Sequence, residues 1–226
     1  MVITVAFDVY GTLIDTQGIV TALGARMGDR AAEFSRAWRE KQLEYTFRRG
    51  LMQNYQDFSV CVRDAFDYTN SSFGSPFGQE ERTYLLAAYE KLPAFPDAKG
   101  GLAAVRQDGH RLFAFSNGRA DTVAALLKNA RLLSYFNDIV SVDDMKSFKP
   151  NPGVYAHFLR QAGAAGASAW LVSSNPFDVI GAVSAGMRAA WIKRSPDALF
   201  DSWGIEPSLV VPGLGELAEG IRRQTA

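Results

Sequence analysis

Four short polar clusters follow apolar runs along the chain: Asp8-Val9-Tyr10-Gly11-Thr12, Ser116-Asn117-Gly118, Lys149-Pro150-Asn151-Pro152, and Ser173-Ser174-Asn175-Pro176-Phe177-Asp178. An aspartate at a strand end can act as a covalent nucleophile, and a hydroxyl four residues on can hold its carboxylate. A hydroxyl and an amide ahead of a helix can bind an anion. A lysine held extended by the following proline can pair with a carboxylate and offset charge that develops in a reaction. An aspartate two places after the first helical residue suits the positive end of a helix. Taken singly, each cluster has a plainer explanation. Asp8 can close its own turn, Ser116 can be an N-cap, and Lys149 can be solvated. Asn175 as N-cap with Pro176 as first helical residue accounts for the spacing of the last cluster. Plain capping does not account for four such clusters, in order, at successive strand ends.

Those ends must be brought together by a sheet. Residues 2–7, 111–115, 138–142, 169–173 and 189–193 read as strands, with a short sixth at Val210-Val211. Helical patterns lie between them, as at 120–130 and 152–162. Strands alternating with helices imply an α/β fold with a doubly wound parallel sheet. Open sheets of this kind bind ligands at the carboxyl ends of their strands. The stretch 16–95 breaks the alternation with helical patterns at about 30–48, 53–68 and 79–91, and Pro93 and Pro96 close it. It reads as a helical cap, 16–95, inserted into a core made of 1–15 and 96–226. On the helix at 30–48, Phe34, Trp38 and Tyr45 share one face, while Arg39, Leu43 and Phe47 share the opposite one. The second face can close over a small anion, or be a buried face whose arginine reaches solvent.

The chain has 226 residues, 47% hydrophobic and 21% charged, which suits a globular α/β protein and excludes disorder or coiled coil. Lys+Arg and Asp+Glu are 24 each, so there is no general attraction to nucleic acid or anionic lipid. The single cysteine, Cys61, cannot form an intrachain disulfide. No apolar run reaches membrane-span length, and the N-terminal stretch lacks the basic region of a signal peptide. The expectation is a cytoplasmic protein with no membrane or nucleic-acid partner. His110 and His157, the only histidines, are expected on the surface and outside any site.

FDVYGTL, SNG, KPNPGVY and VSSNPFD, with WREKQLEYTFRR in the insertion, resemble the motif series of the haloacid dehalogenase superfamily, and of its hydrolytic (S)-2-haloacid (L-2-haloacid) dehalogenases in particular. The resemblance spans the whole chain. It implies a Rossmann-like core with a helical cap, no cofactor and no metal. It also implies hydrolysis of short L-2-haloacids to D-2-hydroxy acids with inversion, through an ester on Asp8. By resemblance, Lys149 keeps Asp8 ionised and offsets charge. Asp178, with Asn175, positions or activates water, and Ser173 and Thr12 orient these groups. Ser116, with nearby backbone N–H groups, holds the substrate carboxylate. Arg39 and Asn117 receive the halide. Tyr10, Leu43, Phe58 and Phe177 wall the 2-substituent, and Tyr155 supports Lys149. The partners are then a 2-haloacid and halide, and a homodimer is expected, with Leu51, Met52 and Tyr55 as one candidate interface.

Phosphatases of the superfamily carry a second aspartate two places after the nucleophile, where this chain has Tyr10, and a metal-binding aspartate where it has Ser174. The remaining alternatives are a phosphatase-like hydrolase using another acid, and a relative that binds small acids without turnover. Asp143-Asp144 is read as loop structure.

Overall fold

The computed structural model describes residues 2–225. The chain runs β1 (Thr4–Phe7), α1 (Val20–Met27), α2 (Ala31–Leu51), α3 (Phe58–Ser72), α4 (Gln79–Tyr89), α5 (Ala98–Gln107), β2 (Arg111–Ser116), α6 (Ala120–Asn129), β3 (Asp138–Ser141), α7 (Pro152–Gln161), β4 (Ala169–Ser173), α8 (Pro176–Ser184), β5 (Arg188–Ile192), β6 (Leu209–Val211) and α9 (Leu217–Thr225). The six strands form one parallel sheet in the order β3-β2-β1-β4-β5-β6. β1 is central, with Thr4 level with Arg111 on one side and Ala169 on the other. Its four residues are all buried, as expected of a strand covered by helices on both faces. The chain turns outward in opposite directions from β1 and β4, so a crevice opens beyond their carboxyl ends. Asp8 follows the last residue of β1, and Ser173 is the last residue of β4.

The doubly wound fold with its inserted helical cap is therefore as the sequence implies. Strand limits differ by a residue at most sites. Val142 leaves the sheet because Ser141 Oγ accepts from the Asp143 N–H at 3.0 Å and starts a helical turn. α1 was absent from the expected helices, being only eight residues long with Gly24 in it. The three expected cap helices are present as α2, α3 and α4.

The cap's own core is aromatic. Phe34 and Trp38 on α2 pack edge-on against Phe66 of α3, and Trp38 lies 4.9 Å from Tyr89 of α4. The Trp38 indole N–H donates to the Val62 carbonyl at 2.9 Å. The chain enters and leaves the cap side by side: Asp15 N–H donates to the Pro93 carbonyl at 2.8 Å, and Phe95 N–H to the Leu13 carbonyl at 2.9 Å.

The surface placement expected for histidine fails at His157. It is buried on the inner side of α7, beside the core residues Val154 and Phe158, with Nε2 3.4 Å from Asp144 Oδ2. His110 is half-buried and its Nδ1 accepts from the Ile3 N–H at 3.5 Å.

Candidate active site

Asp8 is held from one side by three donors. Its Oδ2 accepts from Thr12 Oγ1 at 2.8 Å, Asn175 Nδ2 at 2.8 Å and Ser173 Oγ at 3.3 Å. Its Oδ1 accepts from Lys149 Nζ at 3.2 Å and from no other group among the described residues. Gly11, at φ +85°, makes the turn that brings Thr12 back over the carboxylate. Thr12 is fixed in turn, its Oγ1 accepting from the Ser174 N–H at 2.9 Å. Ser174, at the position where phosphatases place an aspartate, donates to the Gly11 carbonyl at 2.6 Å.

Asn175 corrects the simple capping expectation. It sits at the N-cap of α8, but its side chain caps nothing in that helix. Its amide instead spans Asp8 and the Tyr10 carbonyl, the latter at 3.3 Å. Asn151, in the matching position ahead of α7, does cap, accepting from the Gly153 N–H at 2.8 Å.

Lys149 is 1% exposed, which removes the solvated alternative. Its ammonium donates to Asp8, to Asp178 Oδ2 at 2.8 Å and to the Phe115 carbonyl at 2.9 Å, which matches its three protons. Burial alone would lower its pKa; the two carboxylates outweigh burial and the net shift is upward. Asp178 is fully buried in the first turn of α8. Its carboxyl is pushed up to about 6, chiefly by burial, with Lys149 pulling down and Asp8 pushing up. Tyr155 was expected to support Lys149. Its hydroxyl donates instead to Asp178 Oδ1 at 2.8 Å, and burial holds it neutral, well above the ordinary phenol range. Gly181 lies against the Tyr155 ring, where an added Cβ would come within 2.7 Å of Cζ.

Ser116 is buried at the end of β2, its Oγ accepting from the Gly118 N–H at 3.0 Å. That leaves the hydroxyl proton for an outside acceptor. Asn117 turns its amide oxygen to the Lys149 N–H at 3.0 Å, anchoring the lysine loop to β2. Arg39 reaches down from α2, and Nη2 donates to the Tyr10 carbonyl at 3.3 Å. A cap residue thus touches the loop that carries Asp8. Tyr10 packs against Phe58 at 5.1 Å and stacks on Tyr89 at 6.1 Å. Behind these rings a cleft of about 170 Å³ runs between α3, α4 and the start of α6, lined by Tyr10, Phe58, Val62, Leu86 and Gly118. Phe177 packs edge-on against Phe47 of α2 at 5.1 Å, across the cap–core seam. Leu43 is half-buried on the Arg39 side of α2, and no polar contact ties it to Asp8.

Several groups around the site escaped the sequence reading. The Phe115 carbonyl is backbone and carries no side-chain signal. Trp191 at the end of β5 donates from its indole to the Ser174 carbonyl at 3.1 Å. Arg194 donates to the Thr12 carbonyl at 2.5 Å while gripping Asp97 with its other nitrogen. Trp191 lies in the last part of β5 and Arg194 just beyond it, near a strand end like the four clusters. Asp143 accepts from Tyr55 OH at 2.6 Å and from Lys146, in keeping with a loop role.

This arrangement has known counterparts. A family model described as a haloacid dehalogenase-like hydrolase matches residues 3–186. The chain is 36% identical to the haloacetate dehalogenase H-2 of Moraxella sp. (strain B), over 92% of each chain. It is 33% identical to the (S)-2-haloacid dehalogenase of Xanthobacter autotrophicus, over 98% of this chain and 96% of that one. A solved structure of the L-2-haloacid dehalogenase from that organism, with chloropropionic acid covalently bound, matches with a TM-score of 0.88 at 32% identity, over 98% of this chain and 99% of that one. A buried aspartate just past the end of the central strand, a buried lysine between two carboxylates, and this extent of likeness lead to one conclusion: the chain belongs to the haloacid dehalogenase-like hydrolase family.

Proposed function

We propose that the protein hydrolyses short L-2-haloacids to D-2-hydroxy acids through an ester on Asp8, without a metal, and that residues 16–95 form the cap domain over a core of 1–15 and 96–226. The observation that carries this reading is the asymmetry of Asp8. Oδ2 is saturated by three donors, whereas Oδ1 shares one ammonium with Asp178. Oδ1 is the free nucleophile. It attacks C2 from the side opposite the halogen; the C–O bond forms as the carbon–halogen bond breaks, and the halide leaves with the bonding pair. Ser116 and nearby backbone N–H groups hold the substrate carboxylate. Arg39 and Asn117 receive the halide, which an apolar pocket alone would stabilise poorly. Tyr10, Leu43, Phe58 and Phe177 enclose the 2-substituent.

In the second step Oδ2 is the ester's carbonyl oxygen. Water attacks Asp8 Cγ while Asp178 takes one of its protons. Negative charge then gathers on Oδ2, where Thr12, Asn175 and Ser173 already point their donors. The intermediate collapses by expelling the C2 oxygen, which takes the proton from Asp178. The proton left on the Asp8 carboxyl goes to solvent. One displacement at C2 gives one inversion.

The test is halide release from L- and D-2-chloropropionate, with and without EDTA, beside Asp8→Asn. Release from the L-isomer alone, unchanged by EDTA and absent in the variant, is expected. No release from either isomer by folded protein overturns the reading, and loss of release on chelation overturns its metal-free part.

A further inference from the structure

Gln42 is an anomaly in the cap. It lies on α2 among the aromatic core residues and is fully buried, yet its Nε2 has no hydrogen-bond partner among the described residues. A leucine or methionine would fill the space without an orphaned donor. Its oxygen, by contrast, is doubly engaged. Oε1 accepts from Tyr89 OH at 2.8 Å and from Arg39 Nη1 at 3.5 Å. Arginine only donates, so the atom facing it must be the oxygen. This fixes the orientation of the amide. The Arg39 guanidinium is then held at two points on different elements. Nη2 reaches down to the Tyr10 carbonyl in the nucleophile loop, and Nη1 reaches along its own helix to Gln42. Tyr89, stacked on the Tyr10 ring and packed on Trp38, braces Gln42 from α4.

We infer that Gln42 is a positioning residue that holds the Arg39 guanidinium at the place where the departing halide arrives. This rests on the proposed dehalogenation. A neutral acceptor is well matched to that role, because it orients the guanidinium and leaves its positive charge for the anion. A carboxylate in its place would hold Arg39 more strongly and cancel part of that charge.

The inference is tested by leaving-group sensitivity, which a purely structural role does not move. In Gln42→Leu, kcat/KM for L-2-chloropropionate is expected to fall about tenfold and that for L-2-bromopropionate about threefold, because bromide needs less help to depart. The bromide-to-chloride ratio then rises. In Gln42→Glu, inhibition by added bromide is expected to weaken about tenfold. Tyr89→Phe removes only the brace and is expected to shift the ratio in the same direction by less. If Gln42→Leu or Gln42→Glu fails to fold, Tyr89→Phe decides. Equal losses for both substrates, or an unchanged ratio with unchanged bromide inhibition, overturn the assignment. If the wild type releases no halide, the dehalogenase reading falls and bromide binding by calorimetry decides. Weaker binding in Gln42→Glu than in wild type sustains the role of Gln42 at an anion site, and equal binding ends it.

Discussion

Asp178 carries the most informative prediction at the scale of single residues. As the base for ester hydrolysis it must be deprotonated, and burial pushes its carboxyl up to about 6. An acid with a raised pKa loses its basic form as pH falls, and esterification removes the Asp8 charge that helps push Asp178 up, so the rate of ester hydrolysis is expected to decline toward about tenfold per unit at a pH below 6. A pH–rate profile of adduct decay checks this, and a profile flat from about pH 7 to about pH 4 would count against Asp178 as base. Asp178→Asn should release one equivalent of halide and stop at the ester. Intact-protein mass spectrometry would then find the chain heavier by one carboxyalkyl group. Thr12→Val or Asn175→Ala removes one donor from Asp8 Oδ2 and is expected to slow ester hydrolysis by about a hundredfold, measured as single-turnover decay of that adduct. Asp8, Lys149 and Asp178 stood out because each belongs to a polar cluster that follows an apolar run. The true use of Asn175 was not legible. Helix capping and carboxylate binding favour the same residue at the same place, and only coordinates separate them. Tyr155 was found but attached to the wrong partner, since sequence order does not say which oxygen a hydroxyl meets.

At the scale of elements, α7 and α8 meet through Tyr155 and Gly181, and the site depends on how closely they pack. The Tyr155 hydroxyl bond lowers the Asp178 pKa against the upward push of burial. Tyr155→Phe is therefore expected to move the acidic limb of the pH–rate profile to higher pH, with little loss at the alkaline end. Gly181→Ala puts a methyl group where the Tyr155 ring lies. It should reproduce that shift and lower stability besides, as followed by thermal unfolding. A Gly181→Ala protein with the wild-type pH profile would show that the helices can part without disturbing Asp178. The inner strands were legible because each is a short apolar run buried on both faces, as in β1 and β4. α1 was not, because eight residues with a glycine carry too little periodicity. His157 misled for a related reason: a polar residue beside Val154 and Phe158 on α7 reads as an edge, yet the helix is buried past that edge.

Across the whole molecule, no helix among the described residues is long and apolar enough to cross a membrane. Leu51 and Met52, at the end of α2, are 86% and 67% exposed. An apolar pair left in water at the end of a long helix suits contact with a second copy. We expect a homodimer that Leu51→Glu shifts toward monomer, as read by sedimentation velocity; an unchanged sedimentation coefficient would place the interface elsewhere or exclude it. Tyr55, the third residue of that candidate face, is half-buried and committed to Asp143, so it contributes less. The cap core is a separate liability. Trp38→Ala is expected to cost about 3–5 kcal/mol, because a fully buried indole leaves a large void.

The paired crossings at Asp15–Pro93 and Leu13–Phe95 divide labour between the two parts of the chain. Every side chain assigned to ester hydrolysis, from Asp8 through Lys149 to Asp178, belongs to the sheet side of those crossings, while Arg39 comes from beyond them. A molecule with its lid swung away would keep the machinery for cleaving an acyl bond and lose part of what makes a halogen depart. Because the two crossings lie side by side, a different lid could be spliced in without shifting a strand. On the proposed reaction the sheet side carries the esterolytic step, and the insert helps decide which electrophile is allowed to load it.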